Sequence, residues 1–117
     1  MSKPRPTHAR LGNVSRPDMT PVTELLTGLG PVVYAFQSGD LIKIGYTTNL
    51  AHRAAVLGGY SHLLAWRSGT FDDEQAIHAS LAGLAVQGRE YYPADPRVLA
   101  VVNEMRNSLG LPVLAVA

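Results

Sequence analysis

The chain has 117 residues, 46% of them hydrophobic and 16% charged, with a formal net charge of +1 and no cysteine. That length and composition suit one globular domain with one modest core, and they exclude a disulfide framework, a cysteine zinc site and a wholly disordered chain. The charge is unevenly spread: residues 1–20 carry Lys3, Arg5, Arg10 and Arg16 against Asp18, while the rest holds six basic and eight acidic residues. Residues 1–19, with Pro4, Pro6, Gly12, Asn13 and Pro17, read as a basic arm, either a solvated terminus or a tether for phosphates. Thr20-Pro21 starts a short helix through Leu26, with Thr as cap and Pro in the first turn, ended by Gly28 and Gly30.

Val32 to Phe36 is β-branched and aromatic and reads as a strand. Ser38-Gly39-Asp40 is a turn leading to a second strand, Leu41 to Ile44, and the two make a hairpin. Alternation puts Ile42 and Ile44 on one face, Leu41 and Lys43 on the other. Asn49 caps a helix to about Leu57, with Leu50, Ala54 and Leu57 as its apolar stripe and Arg53 at the border. Leu63 to Trp66 is a third strand. Thr70 or Asp72 caps what reads as the longest helix, to Val86, with Ile77, Leu81, Leu84 and Ala85 inward. Glu90 to Pro93 is extended, and Pro96 opens a last amphipathic helix through Val98, Val101, Val102 and Met105 to Gly110. The domain therefore spans 20–110, and residues 111–117 form an apolar C-terminal tail. No apolar run approaches the ~18 residues of a membrane helix. The N-terminal prolines and basic groups do not form a signal region, so a cytoplasmic address is expected.

A few polar groups stand out from this apolar background. Arg53 carries a rigid donor fork that matches phosphate oxygens and stabilises charge developing on a phosphoryl group, although a helix Arg also snorkels past a leucine. Glu74 could hold a divalent ion, since magnesium is often bound by one or two carboxylates plus substrate phosphates; Asp72-Asp73-Glu74 equally suits the first turn of a helix. Glu74 and His78, four apart, share a helix face, as a transition-metal pair or as a surface Glu–His pair. Tyr34 could present a hydroxyl to an attacking water or pack in the core. Lys43 sits among aliphatics, on an exposed hairpin face or against a phosphate. Tyr91 and Tyr92 could stack on bases or pack on the last helix. His52 and His78 are candidate proton carriers at the site.

In this order the residues resemble the GIY-YIG nuclease superfamily, most closely a phage and bacterial branch with a Lys-Ile-Gly-Xaa-Thr motif and a later Glu-Trp-Phe-like segment. Val33-Tyr34 represents the first signature and Lys43-Ile44-Gly45 the second. Arg53 lies ten residues after Lys43, where that family has its catalytic Arg. Glu74 to His78 resembles its metal-binding Glu stretch, and Glu90-Tyr91-Tyr92 the Glu-Trp-Phe segment. The resemblance runs from about Val32 to Val102. It implies a small α/β (α+β) domain with a three-stranded antiparallel sheet flanked by helices. It also implies a metal-dependent DNA endonuclease using Mg²⁺ or Mn²⁺: Tyr34 activates water, Arg53 stabilises the phosphate, Glu74 holds the metal, and Lys43 takes the place of the second signature Tyr. Tyr46 is a substitute hydroxyl, His78 a proton carrier, and Lys43, Arg53, Arg89 and Tyr91 the expected DNA contacts. The sequence departs from the family pattern at Leu57, where many members have His or Tyr, and lacks the family's late Asn, with Arg89 and Glu90 nearby instead. These departures keep two rivals open: a non-catalytic nucleic-acid-binding module on the same fold, and a phage-type protein whose tail from Leu111 to Val116 docks on a host partner.

Overall fold

The computed structural model describes residues 26–115. The arm of residues 1–19 and the helix expected from Thr20 lie outside the described residues, apart from Leu26, which is buried. Within them the chain is a small α+β domain: a four-stranded antiparallel sheet in the order β3-β1-β2-β4, with three helices. The elements are β1 (Val32–Ser38), β2 (Leu41–Thr47), α1 (Leu50–Val56), a 3-10 turn (Tyr60–His62), β3 (Leu63–Ser68), α2 (Phe71–Ser80), β4 (Tyr91–Tyr92) and α3 (Pro96–Ser108).

The expected hairpin forms. β1 and β2 pair from Val32 opposite Thr47 to Ser38 opposite Leu41, and Gly39 takes the left-handed conformation the tight turn needs (φ 60°). Strand alternation then sorts the core into two layers. Val33, Ala35, Ile42, Ile44 and Ala65 face α2 and α3, meeting Leu81, Val98, Val102 and Met105. Val32, Tyr34 and Phe36 face the other way, onto Leu50 and Ala54 of α1 and Leu26. Ile42 and Ile44 thus share a face opposite to Lys43, as alternation requires.

The caps follow local chemistry. Asn49 accepts from the His52 amide at 3.1 Å. Thr70, rather than Asp72, caps α2 through a full capping box with Asp73. Asp95 caps α3, with Pro96 in its first turn.

Two expectations are corrected. The sheet has four strands, not three: Tyr91 and Tyr92 pair with Lys43 and Ile42 along the outer edge of β2. And α2 stops at Ser80, well short of Val86, so the longest helix is α3, with 13 residues. The two corrections have one cause. Leu81 to Gly83 break the helix, with Gly83 at φ 88°, and the chain turns back so that the Val86 amide donates to the Tyr91 carbonyl at 2.9 Å. Those backbone bonds replace a last helical turn with a strand edge. Leu84 and Ala85 still pack on the core, but from this return loop. No helix among the described residues is long and apolar enough to cross a membrane.

Candidate active site at the open edge of β2

β4 covers only part of β2. Its pairing ends at Lys43, and the Ile44 amide donates to the Glu90 carbonyl at 2.9 Å, leaving Gly45 to Thr47 without a strand on that side. The polar side chains singled out in the sequence flank this edge in two groups, one on each face.

The first group is on the α1 face. Tyr34 lies directly opposite Gly45 in the sheet, and a side chain at 45 would come within 2.5 Å of the Tyr34 hydroxyl. The missing side chain is therefore what lets the tyrosine ring lie flat over β2. Arg53, half-buried on α1, donates from Nη1 to the Tyr34 hydroxyl at 3.4 Å. The tyrosine is fully buried, so its hydroxyl faces the guanidinium rather than water. Lys43 is also buried on this face. It pairs with Glu90, and its ammonium lies 5.2 Å from the centre of the Tyr91 ring. Burial pulls the lysine pKa down, but the hydrogen bond Lys43 donates to Glu90 and the charges of Tyr34, Glu90 and Tyr91 outweigh it and leave it above the ordinary value. Lys43 is a permanent cation at neutral pH and cannot take a proton from water.

The second group is on the α2 face. Glu74 is 4% exposed, a buried carboxylate in the first turn of α2. Its Oε2 lies 3.4 Å from His78 Nε2, one turn on, and its Oε1 accepts from Gln75 at 2.8 Å. Among the described residues no lysine or arginine is paired with it. His78 Nδ1 is hydrogen-bonded to the Tyr92 hydroxyl, the two rings stack at 5.6 Å, and Tyr92 in turn donates to the Arg89 carbonyl at 3.3 Å. His78 Nε2 is buried and makes no hydrogen bond. Burial, with the charges of Glu74 and Glu90, raises the Tyr92 pKa, so its hydroxyl stays protonated. A cleft of about 450 Å³ opens beside this group, lined by Gln75, His78, Arg89, Glu90 and Tyr92 among others.

No hydrogen bond or ion pair joins the two groups among the described residues. Glu90 links them electrostatically, through its pair with Lys43 and its effect on Tyr92. The other sequence candidates fall as follows. Tyr46 lies opposite Val33, on the α2 face and away from Tyr34, with its ring edge-on to Phe71 at 6.0 Å. Arg89 is exposed at the cleft. His52 is exposed on α1, away from both groups. Sequence reasoning gave Glu90 no partner and Tyr92 a stacking or packing role, and missed their contacts with Lys43 and His78. The strand alternation of Glu90-Tyr91-Tyr92 was the available signal, because it sends Tyr91 to Lys43 and Tyr92 to His78.

Among the described residues no set of three or more His, Cys, Asp or Glu side chains gathers to hold a metal ion. A one-carboxylate site of the magnesium kind still fits, because Glu74 is a buried acid beside an orphaned imidazole nitrogen, with no cation of its own. No family model, curated protein or solved structure matches the chain.

Proposed function

We propose that this protein is a metal-dependent DNA endonuclease of the GIY-YIG type, hydrolysing phosphodiesters at the open edge of β2. The observation that carries the reading is Glu74, a carboxylate 4% exposed whose one basic neighbour among the described residues is His78, 3.4 Å away, with no lysine or arginine paired to it. A buried carboxylate without a permanent cation beside it costs several kcal/mol, about 3–5 when a pair is broken. A side chain kept in that state suits a cation supplied from outside the chain.

In this reading Glu74 holds Mg²⁺ or Mn²⁺, which when bound neutralises phosphate charge and makes water more acidic. Arg53 aims its guanidinium at the phosphate oxygens, held in place by the Tyr34 hydroxyl. Tyr34 becomes able to meet the attacking water once Arg53 turns to substrate. Lys43, fixed as a cation, contacts a phosphate and does not act as base. Arg89 and Tyr91, on either side of the Glu90 bend, supply a backbone contact and a ring on which a base can stack.

One observation favours a second reading. Glu90 already neutralises Lys43, and Tyr34 is closed to solvent. A nucleic-acid-binding module on the same fold would keep both features and would hold DNA in EDTA with a steep loss in salt.

The test is nicking of supercoiled plasmid with Mg²⁺ or Mn²⁺ by wild type, Arg53→Ala and Glu74→Ala. The expected result is nicking by wild type, a loss of about 10²–10³-fold for Arg53→Ala, and none for Glu74→Ala, with all three folded. Wild-type protein that binds DNA in EDTA and never nicks overturns the nuclease in favour of the binding module.

A further inference from the structure

The Glu74–His78 pair holds more than a one-carboxylate site requires. In α2, residues four apart face the same way, and here the carboxylate Oε2 and imidazole Nε2 end 3.4 Å apart, both buried. What occupies that gap depends on which nitrogen of His78 carries the proton. The Tyr92 hydroxyl touches both His78 Nδ1 and the Arg89 carbonyl, and where its one proton goes to the carbonyl, at 3.3 Å, its oxygen accepts from Nδ1. With Nδ1 protonated, Nε2 carries a lone pair and points at a carboxylate. Two Lewis-basic atoms so close, with no proton between them, repel unless a cation joins them.

We infer that Glu74 and His78 bind one ion together, through Oε2 and Nε2, and that Tyr92 is a positioning residue that fixes the imidazole for it. The inference rests on the metal-dependent reading above and narrows it. Two ligand bonds of about 2.1 Å at a tetrahedral angle span about 3.4 Å, the separation seen between the two atoms. An imidazole nitrogen is also a poor donor for magnesium and a better one for first-row transition metals, zinc well above manganese. The site therefore prefers a borderline transition-metal ion to Mg²⁺. The arrangement of ligand, outer hydrogen bond and carbonyl anchor is the one by which proteins fix metal-binding histidines in general.

The experiment is titration of the full chain with Mn²⁺ in the absence of DNA, followed by the loss of the free-ion electron-paramagnetic-resonance signal, with Mg²⁺ as competitor. Wild type, Glu74→Ala, His78→Gln and Tyr92→Phe are compared, each checked for its fold by circular dichroism. The expected result is Mn²⁺ binding at least ~10-fold tighter than Mg²⁺. Glu74→Ala abolishes it, His78→Gln removes the preference for Mn²⁺, and Tyr92→Phe weakens Mn²⁺ by roughly 10-fold or more. Unchanged Mn²⁺ affinity in folded His78→Gln, or no Mn²⁺ binding by wild type, overturns the two-ligand site. Neither outcome depends on cleavage. A chain that binds Mn²⁺ as expected but never nicks DNA refutes the nuclease and leaves the site standing, and a chain that nicks DNA while His78→Gln leaves its Mn²⁺ affinity unchanged does the reverse.

Discussion

Gly45 and Tyr34 show how much one residue decides. A side chain at 45 would meet the Tyr34 hydroxyl at 2.5 Å and the ring carbons just beyond, and the ring is walled in by the α1 layer. Gly45→Ala should therefore destabilise the fold by roughly 1–3 kcal/mol, read by urea unfolding, and Tyr34→Leu in the same background should recover part of it. No recovery would show that the clash is not the cause. Lys43 and Glu90 make a second residue-level case. Glu90→Gln strands a buried ammonium and should cost about 1–2 kcal/mol, less than the roughly 3–5 of fully buried pairs, because Glu90 is 46% exposed. Lys43→Met, which removes the charge with its burial cost, should be milder. The raised lysine pKa means the pair's contribution is complete below the ordinary lysine value and disappears only as pH rises through the higher folded value. At this scale the sequence was informative about identities and poor about pairings. Arg53 and Glu74 could be singled out by type and position. That Lys43 meets Glu90, 47 residues on, depends on a strand pairing with no local signature.

At the scale of elements, caps and alternation were legible because their causes are local. Asn49, Gly39 and Pro96 act through their own backbone and nearest neighbours, so strands and helix starts fall where these residues put them. The end of α2 was not legible. Its apolar stripe continues in sequence through Leu84 and Ala85, and only the pairing of the return loop with Tyr91 shows that those residues reach the core by another route. The capping box gives a sharp test. Thr70→Ala should cost about 1 kcal/mol, seen as a lower melting temperature. Asp73 and Asp95 are both held below the usual aspartate range, chiefly by the backbone amides of Thr70 and Arg97. Their folded values lie below the unfolded ones, so their contribution is complete above about pH 4. It is lost as pH falls through the folded values. Acid titration of stability in Asp73→Asn should then show a shallower fall below pH ~4 than wild type; an identical slope would remove Asp73 from the account.

Across the whole molecule, the resemblance drawn from the sequence anticipated a three-stranded antiparallel sheet flanked by helices; the α+β class holds, with four strands rather than three. The fourth strand was hidden because two residues leave almost no periodicity. The segment after α3 also differs from a free tail. Asn103 both donates to and accepts from the Leu114 backbone, at 2.9 and 2.7 Å, and Arg106 donates to the carbonyls of Pro112 and Leu64. Leu114 packs on the α2–α3 layer, while Val113 stays 66% exposed. Among the described residues of this segment, Pro112, Val113 and Ala115 are exposed, and partner capture through Leu114 would have to displace these bonds. Deleting 111–117 should therefore lower stability by roughly 1–3 kcal/mol; an unchanged denaturation midpoint would return the segment to the status of a tail.

The shortness of β4 has a consequence in time. A two-residue pairing holds β4 by few backbone bonds, so the Glu90 and Tyr91 end should open at lower free energy than the β3-β1-β2 sheet, while Tyr92, 1% exposed in the core, resists it. In hydrogen exchange, the amides of Ile44 and Val86, which depend on Glu90 and Tyr91 for acceptors, should exchange by this local opening. Those in the middle of β1 should wait for global unfolding. The same opening would loosen Lys43 from its carboxylate, while His78 keeps its hydroxyl as long as the Tyr92 ring stays in the core, so the α1 side of the site would unlock before the α2 side.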